Sequence, residues 1–189
     1  MKISNGMKTI LQKEEKILRM VAKEVPIKDI KSLKIRRVLK EMSMSLKSQS
    51  DGVALAAPQI GHSLRIFIVA GKIFEKSFGK NKIEQEEGSE GKKKKAKDVI
   101  FINPKISKLS KNKDWIPEGC LSVRPFYGQT LRSKKTTIEA YDERGLKFTR
   151  GASGLLAQIF QHETDHLNGI LFIDHAKNVK AEKPPNESR

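Results

Sequence analysis

The sequence lacks the features of several large protein classes. It has a single cysteine, Cys120, so no intramolecular disulfide can form, and a reducing compartment is indicated. No apolar run approaches the roughly 18 residues of a membrane span, since the longest, 66–70, has the length of a strand. Residues 1–20 contain no long hydrophobic centre, and we expect no secretory signal there. Disulfide scaffolds, integral membrane proteins, collagens and coiled coils are excluded.

Aromatic side chains are also scarce, at 6% of the sequence, although the chain is strongly basic. Its 38 lysines and arginines outnumber 22 acidic residues, which gives a net charge of +16, and 29 of the 38 are lysines. Proteins that bind nucleic acids usually concentrate arginine and place aromatic residues among the basic ones. The charge therefore indicates a solvated lysine surface and no specific nucleic-acid partner. A basic enzyme working close to ribosomal RNA would also fit, so transient ribosome association stays open.

The residues that are present predict an α+β fold, with antiparallel strands packed around a C-terminal helix. Apolar residues recur at helical spacing over 29–48, so we expect an amphipathic N-terminal helix with Asp29 near its cap. Residues 153–168 predict the second helix, capped by Ser153. We predict strands at 64–70, 99–103, 136–141 and 146–149. Pro104 is expected to end the second of these strands, and the last two are expected to pair as a hairpin.

Two segments are predicted to stay outside the core. Residues 79–98 are low in complexity, with an acidic half followed by four lysines at 92–95. Such a segment cannot bury enough apolar surface to offset the entropy of ordering, so we expect a disordered insertion. Residues 177–189 are polar and contain two consecutive prolines, and we expect this tail to fray.

The chemistry is expected on the second predicted helix, where residues 161–166 read QHETDH. His162 and His166 lie one turn apart on one face of a helix, so both imidazoles can reach one divalent metal. Glu163 is offset from that face and close enough to accept a proton from a metal-activated water molecule. A helix with two exposed or hydrogen-bonded histidines would give the same letters. Because the chain has only 4 histidines, two of them at this spacing favour a metal site.

The third ligand distinguishes classes of metalloenzyme. In the metzincin metalloproteases the motif continues to a third histidine, but the corresponding residue here is Phe172. Cys120, within the sequence EGCLS at 118–122, offers a thiolate that would complete a set of one sulfur and two nitrogen ligands. A lone cysteine is more often an inert small hydrophobe. An HExxH metallopeptidase and a noncatalytic, metal-stabilised protein associated with RNA remain the alternatives.

Three separated segments together resemble the motifs of the peptide deformylases, enzymes that remove the formyl group from nascent chains. The segment 52–61, GVALAAPQIG, is similar to the first motif, 118–122 reproduces the second, EGCLS, and 161–166 reproduces the third, QHExDH. The resemblance runs over 10–176 and is interrupted by the lysine-rich insertion. It implies a single deformylase-like catalytic domain at 1–176, followed by the polar tail.

The resemblance also implies roles for individual residues. The implied metal ligands are Cys120, His162 and His166. Glu163 would be the general base and then the general acid, while the Gln59 amide and the Leu121 backbone N–H would donate to the developing oxyanion. The residues implied to bind the N-formyl-methionyl substrate are Val53, Ala54, Gly119, Leu155 and Ile159. Helical spacing alone leaves Leu155 and Ile159 as a pocket wall, ordinary core, or both.

Three positions depart from the family pattern. Ala54 replaces the second glycine of the first motif, so an extra methyl group would narrow the cleft or shift its loop. Arg124 stands where the family usually has proline, and it would contact the peptide or point to solvent. Tyr127 occupies the position where some bacterial members have a substrate-side arginine.

The identity of the metal and the cellular compartment can also be predicted. One thiolate and two imidazoles would indicate Zn²⁺ by ligand chemistry alone, whereas the resemblance implies Fe²⁺. We expect one divalent ion per chain, natively Fe²⁺, with Zn²⁺ or Co²⁺ acceptable in a purified sample. The excess of lysine over arginine and the low-complexity insertion suggest a compositionally biased genome. We therefore favour an organelle matrix or stroma, plastid-type or mitochondrial, over the bacterial cytoplasm, with no membrane association.

Overall fold

The computed structural model describes residues 6–74 and 96–181. Most of the predicted insertion, 79–95, and the end of the predicted tail, 182–189, lie outside these ranges. Within them, no helix combines the length and the apolar character that crossing a bilayer requires.

The described residues form two α-helices and eight strands. The helices are α1 (Leu33–Lys47) and α2 (Gly154–Leu167). The strands are β1 (Ala54–Ala56), β2 (Ile66–Val69), β3 (Val99–Leu109), β4 (Lys113–Gly119), β5 (Phe126–Ser133), β6 (Lys135–Tyr141), β7 (Lys147–Ser153) and β8 (Lys177–Ala181). They form a five-stranded sheet in the order β1-β2-β3-β6-β7 and a three-stranded sheet in the order β4-β5-β8. Every pairing between these strands is antiparallel, and the predicted α+β class with a C-terminal helix is confirmed.

The five-stranded sheet is buried on both faces, and strand β2 shows why its sequence is apolar throughout. Ile66 and Ile68 pack with α1, whereas Phe67 and Val69 point to the opposite face and pack with α2. The Phe67 and Phe101 rings stack at a centroid distance of 4.5 Å beneath α2. This packing fixes α2 between the two sheets, since the helix also contacts β5.

Helix α1 begins later than predicted. Asp29 ends a short 3-10 turn, and Ser32 is the residue that caps the helix, with its hydroxyl accepting from the Ile35 N–H at 3.3 Å. The Ser32 N–H is itself bonded to the Asp29 carbonyl. The cap is therefore the side chain that can reach the free N–H groups of the first turn, and Asp29 is one turn too early.

Strand β3 does not stop at Pro104, contrary to the prediction. Its pairing with β6 is irregular between Ile102 and Lys105, which is a bulge that lets the strand pass a residue without an N–H. Asn103 has a positive φ of 50° there. Its side-chain amide is bonded to the backbone N–H and carbonyl of Val25 at 2.8 and 2.7 Å, and these bonds support the irregular backbone.

The sequence prediction missed strands β1, β4 and β5 and was wrong about the start of the tail. Residues 177–181 form β8 against β5, because backbone pairing does not depend on an apolar side chain. The Lys177 ammonium lies 4.3 Å from the centre of the Trp115 ring and adds a cation–π contact. Asp98, which the prediction placed in the disordered insertion, accepts hydrogen bonds from the Ser43 hydroxyl and the Gly71 N–H.

Candidate metal centre

Three ligand atoms converge where α2 meets the end of β4. The sulfur of Cys120 and one nitrogen each of His162 and His166 lie within 4.8 Å of one another. Within residues 6–74 and 96–181 this is the one group of His, Cys, Asp and Glu side chains close enough to hold an ion. The two imidazoles come from successive turns of α2, with ring centroids 4.9 Å apart, as the predicted spacing requires.

His162 is oriented by a buried network. Its Nδ1 lies 2.7 Å from Oε1 of Glu118, which leaves Nε2 free to face the metal site. Arg132 donates to both carboxylate oxygens of Glu118 at 3.0 and 2.6 Å and to Asp165 at 2.6 Å, and Thr130 donates to Glu118 at 2.7 Å. Burial alone would raise the pKa of Glu118, but hydrogen bonds from His162 and Arg132 hold that pKa well below its usual range.

Three polar groups surround the Cys120 sulfur. The Ser122 N–H donates to Sγ at 3.4 Å, the Gln59 side-chain amide approaches it at 3.6 Å, and His166 Nε2 lies 3.1 Å away. Burial lowers the pKa of His162, but its hydrogen bonds to the Cys120 sulfur and Glu118 raise the pKa well above its usual value.

The chemistry of the donor set fits a divalent metal. Burial, with the charge of His162 added, holds the pKa of His166 well below its usual value, so this imidazole is neutral, the form that binds metals. His166 is 1% exposed, and its Nδ1 has no hydrogen-bond partner within the described part of the chain. One cysteine sulfur and two imidazole nitrogens are the ligands expected of a divalent metal centre.

Glu163 lies beside the ligands as a carboxyl group with a free oxygen. The residue is 4% exposed, and its Oε2 has no hydrogen-bond partner within 6–74 and 96–181. Burial raises its pKa to about 7, with the charge of His162 opposing this shift and the charge of Glu118 adding to it. A carboxyl group that gains and loses a proton near neutral pH can serve as both general base and general acid.

The metal centre opens into a cleft of about 340 Å³. The structure brings ten of the eleven predicted site residues to its walls: Val53, Ala54, Gln59, Gly119, Cys120, Leu121, Leu155, Ile159, His162 and Glu163. The eleventh, His166, lies behind Cys120. Ile159 is 4% exposed and belongs to the core beneath the five-stranded sheet, whereas Leu155 is 43% exposed at the edge of the cleft. Leu155 and Ile159, on one face of α2, thus contribute to both the core and the cleft wall.

Gln59 is held in place from both ends of its amide. Its Oε1 accepts from the Ala56 N–H at 2.8 Å, and its Nε2 donates to the Ser122 hydroxyl at 3.0 Å. Gly119 forms the opposite wall, where the Tyr127 ring packs so closely that a Cβ at position 119 would come within 2.5 Å of it. A side chain at position 119 would therefore have to displace the Tyr127 ring.

The positions that depart from the family pattern lie around the same cleft. Ala54 is buried in the core beneath the sheet and lines the cleft wall. Arg124 does not point freely into solvent, because it is bonded to Asp51 and Gln49 at the mouth of the cleft.

Comparison with known proteins identifies the family. The sequence profile of the polypeptide deformylase family matches residues 7–182. Peptide deformylase 2 of Clostridium acetobutylicum is 35% identical over 89% of this chain and 95% of its own length. A peptide deformylase structure from Legionella pneumophila superposes with a TM-score of 0.71 at 31% identity, over 91% of this chain and 87% of that one. A deformylase from Acinetobacter baumannii, solved with Met-Ala-Ser bound, gives 0.72 at 28% identity, over 89% and 99%.

The chain belongs to the polypeptide deformylase family. The predicted function, metal-dependent removal of an N-terminal formyl group by an enzyme that acts on newly synthesised proteins, is thereby confirmed. The alternatives of a metallopeptidase and of a noncatalytic RNA-associated protein are not favoured. Phe172 agrees with this, since it is 1% exposed in the core and packs beside the His162 ring at a centroid distance of 6.5 Å.

Sequence reasoning missed the residues that support the deformylase site from behind. Glu118 and Asp165 stand inside the second and third motifs, but the sequence analysis assigned no role to either residue. Arg132 lies in no motif, and nothing local distinguishes it from the other arginines. Gln161, the first residue of QHETDH, anchors α2 to β5 by exchanging hydrogen bonds with the backbone of Ser133 at 2.9 and 3.0 Å.

Proposed function

We propose that the formyl group of an N-formyl-methionyl peptide is hydrolysed in this cleft, between the metal ligands and Glu163. One observation carries the proposal. Cys120 and His162, whose donor atoms lie close to that of His166, share a cleft with Glu163, and one buried carboxylate oxygen of Glu163 is engaged by no described group. A purely structural metal site needs no base beside it, whereas hydrolysis does.

Cys120, His162 and His166 are the residues that would hold the metal, one ion per chain, with Fe²⁺ as the proposed native ion. A bound divalent ion supplies Lewis-acid activation of water and polarises the formyl oxygen. The thiolate and two imidazoles support a borderline-soft ion, and this set accepts Zn²⁺ and Co²⁺ as well. The choice of Fe²⁺ rests on the family resemblance.

The protein's own groups then move the proton and stabilise charge. Glu163 takes a proton from the attacking water, and it returns a proton to the departing amine. The Gln59 side-chain amide and the Leu121 backbone N–H donate to the formyl oxygen as negative charge develops on it. Gln59 is pre-positioned for this by its bonds to Ala56 and Ser122, so little reorganisation is needed.

The methionine side chain is proposed to lie against Val53, Leu155 and Ile159. These apolar residues line the same cleft as the metal centre, and Gly119 lines it as well. The Met-Ala-Ser complex of the Acinetobacter baumannii relative supports a peptide of this kind as the ligand. Apolar contact is worth roughly 25 cal/mol per Å² removed from water, so formyl-Gly should be about a hundredfold poorer than formyl-Met in kcat/KM.

The decisive experiment follows the products of formyl-Met-Ala-Ser by mass spectrometry, with the protein loaded with Fe²⁺, Zn²⁺ or Co²⁺ in turn. A deformylase releases formate and leaves Met-Ala-Ser intact, whereas a peptidase cleaves between Met and Ala. A chelator should abolish the reaction. The highest kcat/KM with Zn²⁺ rather than Fe²⁺ would contradict the proposed native metal without contradicting the reaction.

We also propose that the protein works in an organelle matrix or stroma, with bacterial cytoplasm as the alternative, and that it contacts ribosomes transiently. The lysine bias and the net charge of +16 support these proposals. Sequencing the 5′ end of the gene tests the first. Co-sedimentation with ribosomes, lost as salt rises, tests the second.

A further inference from the structure

Two charged side chains meet across the mouth of the cleft. Arg124 Nη2 lies 2.5 Å from Asp51 Oδ1, and Arg124 Nη1 donates to Gln49 Oε1 at 3.2 Å. Asp51 lies in the turn between α1 and β1, and Arg124 lies in the turn between β4 and β5 that also carries Cys120. Both residues line the cleft. The pair therefore joins two segments that both border the cleft.

Stability alone does not account for this pair. The side chains of Arg124 and Asp51 are 43% and 56% exposed, and an ion pair this accessible adds little to the free energy of unfolding. Because both charged side chains are partly exposed and line the same cleft as Val53, Leu155 and Ile159, they border the route by which a peptide bound there would reach solvent. A charge at that level acts first on the substrate residues that follow the methionine.

We propose that Arg124 and Asp51 together determine the charge preference of the enzyme for the substrate residues directly after formyl-methionine. Because each neutralises the other, the intact pair makes the enzyme indifferent to the sign of that charge. This inference rests on the proposed function, since it requires the peptide to pass the pair on leaving the methionine pocket. It extends that function from the first substrate residue to the second and third.

The electrostatics of the pair explain the indifference. An acidic substrate side chain at the mouth is attracted by Arg124 and repelled by Asp51 almost equally, because the two charges are only 2.5 Å apart. A basic side chain meets the same cancellation with opposite signs. Removing one partner leaves a single charge at the mouth, which attracts one class of peptide and repels the other. An enzyme that acts on many different protein N-termini would therefore process acidic and basic sequences at similar rates.

The test measures kcat/KM on formyl-Met peptides with Glu, Lys or Ala at the second or third position. Wild-type protein should give a Glu-to-Lys ratio within about threefold of one at both positions. Asp51→Asn should favour Glu over Lys by about fivefold at one position or both, and Arg124→Gln should favour Lys by a similar factor. The double variant should return to a ratio near one. Both preferences should fade between ~0.05 and ~0.5 M salt, because the charges are exposed.

A matched ion pair elsewhere supplies the control. Asp114 and Lys134 lie 3.1 Å apart with similar exposures of 59% and 49%, and neither lines the cleft. Asp114→Asn changes net charge by the same amount as Asp51→Asn, so it should leave the Glu-to-Lys ratio as in wild type. An equal shift in the Asp114→Asn variant would mean that the effect is global charge, which would overturn the proposal.

Other outcomes also decide the matter. A wild-type ratio beyond tenfold in either direction would overturn the claim of neutralisation, and unchanged ratios in both single variants would overturn the role of the pair. In either case, turnover of the formyl-Met-Ala peptides would show that the proposed function itself stands. If no peptide is deformylated by wild-type protein with the metal bound, the proposed function fails first.

Discussion

The back of the metal site and the mouth of its cleft are both built from ion pairs, but the two regions differ in exposure. Behind His162, Arg132 and Glu118 have side chains that are 7% and 3% exposed and make paired hydrogen bonds. At the mouth, Arg124 and Asp51 are about half exposed and share one short contact. One ion pair is therefore buried behind a metal ligand, and the other is an accessible contact at the mouth of the cleft.

The difference shows which part of the site is fixed and which can adapt. A buried pair with every oxygen satisfied holds one geometry, because losing either partner leaves an unpaired charge away from water. That rigidity suits a residue that orients a metal ligand. An exposed pair can open at small cost, and this suits a region past which many peptides must move. Substitutions should therefore have effects that decrease from the back of the site to the mouth.

The largest loss is expected at Glu163. Glu163→Gln keeps the size and shape of the side chain but removes the group that accepts the proton, so kcat should fall by about 10²–10⁴-fold. Metal content measured by mass spectrometry should be unchanged. His162→Ala is the contrasting variant, because it removes a ligand and should lose both metal and activity. Full turnover by Glu163→Gln would refute its role as the base.

Breaking the buried pair should have the next largest effect. Arg132→Met removes the guanidinium and leaves Glu118 charged, buried and half satisfied, so the free energy of unfolding should fall by about 3–5 kcal/mol. Metal affinity should weaken about 10–100-fold, since His162 loses its fixed orientation. Urea unfolding and a competitive chelator measure the two effects.

Lys134→Met is the matched control for that experiment. Lys134 follows β5 two residues after Arg132 and pairs with exposed Asp114, so it should cost no more than about 1 kcal/mol. Equal losses in the two variants would mean that the burial of the Arg132 pair has no special value.

Much of this site was predictable because its geometry is local. A helix places residues four apart on one face whatever surrounds it, so the spacing of His162 and His166 was enough to predict that both imidazoles could reach one ion. Strand β2 was recognisable because an apolar run buried on both faces has a distinctive composition. Cys120 could be assigned as a ligand only from the resemblance of the whole EGCLS segment, because a single cysteine has no second ligand nearby whose spacing would indicate a metal site.

The supporting network was not predictable because it depends on strand register. Arg132 and Thr130 reach Glu118 only because β5 pairs with β4 so that Gly128 lies opposite Glu118 and alternate residues share the buried face. The buried face of these strands is polar, whereas Trp115 and Leu131 on the other face are exposed, so neither strand has the apolar pattern of a buried strand. Strand β8 is exposed throughout, and its backbone pairing leaves no pattern in the sequence.

Two apolar residues on one face of α2 show the same difference in exposure within the cleft. Ile159 is 4% exposed and Leu155 is 43% exposed. Ile159→Ala opens a cavity and should cost about 2–4 kcal/mol of stability, and it should lower kcat/KM on formyl-Met peptides about tenfold. Leu155→Ala should cost under about 1.5 kcal/mol and affect formyl-Met more than formyl-Gly. If the formyl-Met to formyl-Gly ratio is the same in all three proteins, the methionine pocket lies elsewhere.

The smallest effect on stability is expected at the mouth itself. Asp51→Asn and Arg124→Gln should each lower the free energy of unfolding by no more than about 1 kcal/mol, because water screens the charges that remain. The double-mutant cycle should give a coupling energy of a few tenths to about 1 kcal/mol, well below the loss in Arg132→Met. Urea unfolding of the four proteins measures it. A coupling energy as large as the loss in Arg132→Met would show that the mouth is as rigid as the back of the site. The division between a fixed metal support and an adaptable entrance would then be wrong.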